Sequence, residues 1–487
     1  MTFKILSFII VLSSTTICEP IPVSLFFTNV NSAFTVTSDS GKPFYRLVTS
    51  SNTSIEECAE SAMLWKNESA PNEKCLSATF FKAPSNISYT KQCWCYILPK
   101  WIPMSSNEAD SVQIIWPCSH SEDCSFNGDC NSQESCTCIP GWKGPRCGEL
   151  DLQTVDIKNP GLRLVDDNGH NISTWGAPIL QDEVSGLWHA WASEMLYSCG
   201  INSWETNSHI VHAISYSPFG PWTRLEEVVP AFAHEPDVIK GPNGELIMVY
   251  SYFQMPTNSN SSSEYCTQCA NGITLYQDVK NGCGLNKTHI FHQMMMISPG
   301  FNQKWQEPIE ITKLTAPWDW NLALTVLKNG TAIGLVRALF PWNANNYSDN
   351  TTWHSVGGSP EGKALPDSNV EDPALWTDTN GIFHAIFHSM DVYGQSNQYL
   401  GGHAYSVDGI NWVYSGTAYS NYANYSDNSW QIFLRRERPH PIFSSNGTLV
   451  ALSNGVQYET TSNVICKIGN IESPCDPIFT LVVPIRH

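Results

Sequence analysis

The chain of 487 residues carries a formal net charge of −19, with 26 Lys and Arg against 45 Asp and Glu. So acidic a chain lacks the cationic surface that neutralises phosphates, which excludes nucleic acid as a partner class. Its length suffices for two to four domains and at least one large core.

Lys4 precedes the apolar run Ile5 to Leu12, and small residues follow to Cys18. Residues 1–18 therefore read as a cleavable secretory signal, and no later stretch reaches the ~18 consecutive apolar residues of a membrane span. The expectation is a secreted, extracellular protein. With Cys18 in the signal, an even number of the 17 cysteines remains, as disulfides in an oxidising compartment require. Asn-x-Ser/Thr sequons at Asn52, Asn67, Asn86, Asn171, Asn260, Asn286, Asn329, Asn346, Asn350, Asn424 and Asn446 predict a glycoprotein with N-glycosylated loops.

Residues 19–116 hold Cys58, Cys75, Cys93 and Cys95, in an order that suggests one short helix followed by strands stapled by two bridges. This part loosely resembles PAN/apple-type adhesion modules, although four cysteines allow three pairings. Residues 117–148 carry six cysteines within thirty residues, too many for a useful hydrophobic core, so bridges must hold the unit. The gap of one residue between Cys136 and Cys138, and the turn PGWKGPRC before Cys147, resemble an EGF-like module. That resemblance implies the pairs Cys118 with Cys130, Cys124 with Cys136 and Cys138 with Cys147, and a spacer that meets an extracellular protein partner. The residues before Cys118 are IIWP, so the ligands of calcium-binding members are absent and no metal is expected.

From residue 151 to 487 short β-type runs alternate with Gly, Pro and Asn. Five segments share one pattern: GAPILQDEVSGLWHAWAS, HEPDVIKGPNGELIMVYS, WNLALTVLKNGTAIGLVR, EDPALWTDTNGIFHAIFH and ERPHPIFSSNGTLVALSN. In four of them a proline precedes a turn glycine by eight residues: Pro178 and Gly186, Pro236 and Gly244, Pro373 and Gly381, Pro439 and Gly447. In the third, Leu322 stands eight before Gly330. Each reads as a hairpin, and five copies predict an all-β, five-bladed β-propeller with small disulfide-rich modules ahead of it. The segment Phe479 to Ile485 is expected to close the ring against the first blade, stapled by Cys466 and Cys475. Cys199, Cys266, Cys269 and Cys283 fall in long loops.

In a propeller the inner strands begin around one mouth of the channel. The residues expected there are Gly176 with Ala177, His234 with Glu235, Trp320 with Asn321, Glu371 with Asp372, and Glu437 with Arg438. Crowded carboxylates raise one another's pKa, which keeps one of them protonated for general-acid work; Asp237 lies close by. Over residues 151–487 the chain resembles the five-bladed glycoside hydrolases of family 43 and its relatives. EDPALW is similar to their fourth-blade strand, where a Glu two before the proline is the general acid, a position Glu371 matches. The family's first-blade base falls on Ala177 and its third-blade Asp on Asn321. The resemblance thus implies glycosidic cleavage with another base, Glu235, Asp237 or Glu437, or glycan binding without cleavage. No cofactor is implied.

The fifth repeat adds FLRRERPHPIF, whose Arg435, Arg436 and Arg438 suit an anionic sugar because guanidinium pairs bidentately with such groups. Asp372, Asn321, His234 and Trp320 complete the expected substrate contacts. The other repeat histidines, His388 among them, read as packed strand residues, while Trp175, Trp320 and Trp376 offer sugar-stacking faces. The expected function is a secreted carbohydrate-active protein with glycoside hydrolase chemistry and a glycan or polysaccharide as partner. Its alternative is a non-catalytic glycan-binding or cell-adhesion protein.

Overall fold

The structure, a computed structural model, describes residues 118–165, 171–196, 200–201, 204–254, 290–316, 319–356, 370–389, 401–458 and 478–487, and the backbone of short strands within 24–115 and 465–474. The signal, the side chains of the 19–116 cysteines and of Cys466 and Cys475, and the loop cysteines 199, 266, 269 and 283 lie outside this description. The chain forms two compact units, one of Met1–Ile139 with Lys143–Gly148 and the other of Pro140–Trp142 with Glu149–His487. In the first, Cys118 bonds to Cys130, Cys124 to Cys136 and Cys138 to Cys147. These are the pairs the EGF-like resemblance implies.

The second unit is a five-bladed β-propeller. Blade 2 runs Ala233–Lys240, Leu246–Gln254, Ile290–Ser298 and Ile309–Glu310 outward from the axis, every neighbour antiparallel. Blade 3 (Ala323–Val326 to Trp353–Ser355) and blade 4 (Val370–Thr377 to Val413–Tyr419) repeat the order. Blade 1 begins with two short pieces, Thr174–Trp175 and Ile179–Gln181, both paired with Trp188–Met195. Strands such as Trp188–Met195 and Ala332–Val336 are buried along their whole length because both faces meet a neighbouring blade, and the core is a set of wedges between blades. Ile179, Val211, Ile442 and Val482 pack where blades 1 and 5 meet, and Ile247, Leu324 and Trp353 where blades 2 and 3 meet. Among the described residues, helix is confined to short turns such as Trp204–Asn207.

Ring closure differs from the expectation. Ile478–Pro484 is the third strand of blade 5, paired with Leu449–Tyr458 on one side and with Gly161–Leu162 on the other. The outer strand of the last blade thus comes from the start of the propeller, ahead of blade 1. A seam made of both chain ends opens only if strands of opposite ends separate together.

The turn glycines all adopt positive φ, from 74° at Gly186 to 88° at Gly244, and nothing lies within 4 Å of where their Cβ would be. Their role is backbone conformation, not packing.

Blade 1 buries two imidazoles side by side. His189 Nδ1 lies 2.9 Å from His212 Nε2, and the Trp191 ring stacks on His212 at 5.0 Å. Burial, with His212 adding to it at His189, holds each ring down at about 4. The unfolded chain takes up these protons near pH 6.5 while the folded one resists until about 4. Stability from this pair is therefore complete above pH 6.5 and is lost as pH falls toward 4, by up to about 3 kcal/mol per ring. Urea unfolding of wild type and His212→Gln across that window should show the shallower pH slope in the variant; equal slopes refute it.

Candidate functional site

All five inner strands enter the channel through one backbone device. The ladder slips between His234 and Asp237, between Glu371 and Ala374, and between Glu437 and His440, a β-bulge that re-aims side chains. One residue per blade is left-handed there: Gly176 (φ 59°), Glu235 (60°), Asn321 (51°), Asp372 (54°) and Arg438 (51°). For the four that are not glycine, this costs on the order of 1–3 kcal/mol each, strain of the kind that clusters at functional sites.

Register shifts the blade 1 assignment by one residue. Its turn runs from Asp182 to Leu187, one longer than Gly241 to Glu245 in blade 2 or Asp378 to Ile382 in blade 4. Counting back from the turn glycine therefore overshoots, and the mouth pair is Trp175 with Gly176, not Gly176 with Ala177. Ala177 is fully buried, its carbonyl accepting a hydrogen bond from Ser453 Oγ at 2.6 Å. A Cβ on Gly176 would stand 2.6 Å from Arg438 Cβ, so Arg438 occupies the space a blade 1 side chain would need. Gly176→Ala is expected to destabilise the fold by at least about 1–3 kcal/mol through overpacking and a disallowed φ, read from the urea midpoint.

The floor ties four blades together. The Asn321 amide donates to Glu235 (2.5 Å), Asp319 (3.0 Å) and Asp372 (3.1 Å). Arg438 donates through its backbone N–H to Asp372 Oδ2 (3.2 Å) and through its guanidinium to Asp372 Oδ1 (3.4 Å) and the Pro236 carbonyl (3.2 Å). Its Nη1 also lies 3.9 Å from Glu235. Burial lifts the Glu235 carboxyl well above the usual range; Arg438 opposes the shift, and Asp372, Asp319 and Glu371 add to it. Asp237 sits beside His440, 3.6 Å away, and accepts from the backbone of Leu324 and Val238; burial pushes it up to about 7.

Above this floor a second group is more open. Arg337 bridges Glu371 (Nη2 to Oε2, 2.6 Å) and Asp319 (Nη1 to Oδ1, 3.0 Å). The imidazole of His388 lies between Glu371 (Nδ1 to Oε1, 3.6 Å) and Glu437 (Nε2 to Oε1, 3.9 Å), and Arg435 Nη1 stands 3.9 Å from the same Glu437 oxygen. The side chains of Arg337 and Arg435 are 32% and 34% exposed, those of Glu371 and Glu437 14% and 13%. Burial raises Glu371 to about 7, helped by Asp372 and opposed by His388 and Arg337. Burial works against charge on His388, but Glu437 and then Glu371 outweigh it and lift the ring to about 9.

Glu371, Asp372 and His388 each bring one possible ligand atom within 4.8 Å of the others. Glu371 is paired with Arg337 and Asp372 with Arg438, so the trio belongs to an ion-pair network.

Five functional candidates depart from the sequence reading. Arg436 turns into blade 5, donating to Asn454 (3.0 Å) and to the Ser420 and Tyr422 carbonyls (2.9 Å each). It is fully buried and burial lowers it to about 10, so it holds strands together and not a ligand. Trp376 stacks on His384, and Trp175 is buried in a core cluster, so neither walls the mouth. His234 is buried with Nδ1 2.7 Å from Ser208 Oγ, and Trp320 packs edge-on against Trp342.

Asp319, Arg337 and the role of His388 were not found from sequence. His388 pairs in register with Glu371, and the Arg337 N–H donates to the Trp320 carbonyl. The end of each second strand faces the mouth residue of the first, so reading the hairpin partner would have located both.

The fold and site together define a five-bladed propeller whose mouth gathers carboxylates and guanidiniums from several blades. The sequence matches no protein family and no curated protein. Solved structures similar to it include a xylan beta-1,4-xylosidase from Bacillus halodurans (TM-score 0.41, 9% identity, 64% of this chain and 53% of that one). Others are the catalytic domain of the GH62 alpha-L-arabinofuranosidase of Coprinopsis cinerea (0.42, 12%, 71% and 98%) and an exo-beta-1,3-galactanase of Clostridium thermocellum (0.39, 13%, 66% and 61%). The chain spans about half the length of the xylosidase. These likenesses are distant, and the roles of the mouth residues rest on their own geometry.

Proposed function

We propose that this chain is a secreted carbohydrate-active protein that cleaves glycosidic bonds at the propeller mouth, with Glu371 as general acid and Glu437 as general base. The observation that carries the reading is Glu371, a carboxyl held protonated up to about pH 7 by burial yet reachable at the mouth. A general acid needs that combination. In the proposed step the Glu371 proton passes to the leaving oxygen as the anomeric bond breaks, and Glu437 takes a proton from the attacking water. The two carboxyls stand at opposite nitrogens of one imidazole, which suits the wider spacing, about 6.5–9.5 Å, that admits a water and inverts the anomeric centre. Glu235 and Asp237 are set aside as bases because the Asn321 amide and the Arg438 guanidinium engage Glu235, and Asp237 is buried against His440. Asp319 positions Arg337, and Arg337 with Arg435 favours an anionic sugar such as a uronate.

One observation favours the second reading, glycan binding without cleavage: Arg438 fills the blade 1 place where the resembled family has its base. Reducing-sugar release from neutral, uronic and sulfated glycans decides between them. Release of an inverted product supports the hydrolase, while glycan retention on the folded protein without release supports the lectin. The EGF-like unit is proposed to contact an extracellular protein.

A further inference from the structure

An apolar face stands on the extended hairpin of blade 5. The inner strand there, Trp430–Phe443, is 14 residues long, and its first part pairs with Tyr422–Asn424 outside the blade proper. Tyr422 stands opposite Ile432 and Asn424 opposite Trp430. Alternation sends Ala423 and Phe433 inward to a buried cluster and leaves Tyr422, Ile432 and Trp430 outward, Trp430 with 64% of its surface exposed. The backbone edge beside them is closed, since the Val155 N–H donates to the Asn424 carbonyl at 2.8 Å. The hairpin is therefore fixed in place, and only its outer face is uncovered. Three large apolar side chains on one such face call for a covering group.

Asn424, on that same face, begins the sequon Asn424-Tyr425-Ser426. We infer that Asn424 carries an N-linked glycan whose first sugar lies on the indole of Trp430, covering the Tyr422, Ile432 and Trp430 face. Directly opposed residues on an antiparallel pair hold their Cβ atoms about 4.5–5.5 Å apart, so a sugar on the Asn424 amide starts within reach of the ring. The C–H face of a pyranose is apolar, as is an indole face, and the occupant comes from this chain itself. The inference rests on the reading that the chain is exported.

The test uses the full chain, with its N-terminal segment, secreted from a glycosylating eukaryotic host. Peptide mass spectrometry before and after peptide N-glycosidase reads occupancy, and thermal unfolding is compared for wild type, enzymatically deglycosylated wild type, Asn424→Gln, Trp430→Ala and the double variant. The expected result is an occupied Asn424, a Tm lower by about 2 °C without the sugar, and less than half that shift in the Trp430→Ala background. An empty Asn424 with Asn329 or Asn446 occupied overturns the site while export stands. Empty sequons throughout in the secreted chain overturn the site, and retention of the unglycosylated chain inside the host overturns export as well. An equal Tm shift with and without Trp430 overturns the indole platform.

Discussion

Glu371→Gln is expected to abolish glycan cleavage, by about 10²–10⁴-fold in kcat, with unfolding midpoint and glycan binding close to wild type. The amide keeps the size and most contacts of the carboxyl but has no proton to give, and a positioned general acid contributes about that factor. Wild-type activity should also fall as pH rises through about 7, because Glu371 must be protonated and ionises there. The sign follows from its position as acid: were it the base, activity would rise through the same pH. Asp319→Asn should retain more activity than Glu371→Gln, since Asp319 acts through Arg337. Equal turnover by wild type and Glu371→Gln across the pH range would remove Glu371 from the chemistry.

Arg438→Met should give the largest loss of stability of any single change at the site, about 3–5 kcal/mol in urea at pH 8. Removing one partner of a buried ionic cluster leaves the others unpaired, and here Glu235, Asp372 and Asp237 all lose the guanidinium that favours their charge. The loss should shrink toward pH 5, because the orphaned Glu235 and Asp237 carboxyls, raised by burial, then take up protons and shed their charge. Glu235→Gln in the Arg438→Met background should recover part of it. A variant as stable as wild type at pH 8 would show that Arg438 is not what holds the floor together.

The propeller was legible in the sequence because a repeated hairpin is a local pattern. The proline, the turn glycine and the apolar alternation sit within eighteen residues, and each follows from backbone geometry that needs no distant partner. The mouth was legible in part for the same reason, since Glu371 and Glu437 precede their repeat prolines by two. Blade 1 misled by one residue because its turn is one residue longer, a difference that only the hydrogen-bond ladder registers.

By itself the sequence determined the number of blades, the bridges implied by the EGF-like resemblance, and which residues lead four of the five inner strands. Only the tertiary structure decided how those residues meet. It set Arg438 into the space beside Gly176, turned Arg436 into its own blade, and brought His388 and Arg337 from second strands to the carboxylates. It also closed the ring with Gly161–Leu162. The reason is physical: backbone conformation is written in neighbouring residues, whereas burial, charge pairing and pKa depend on groups that other blades supply.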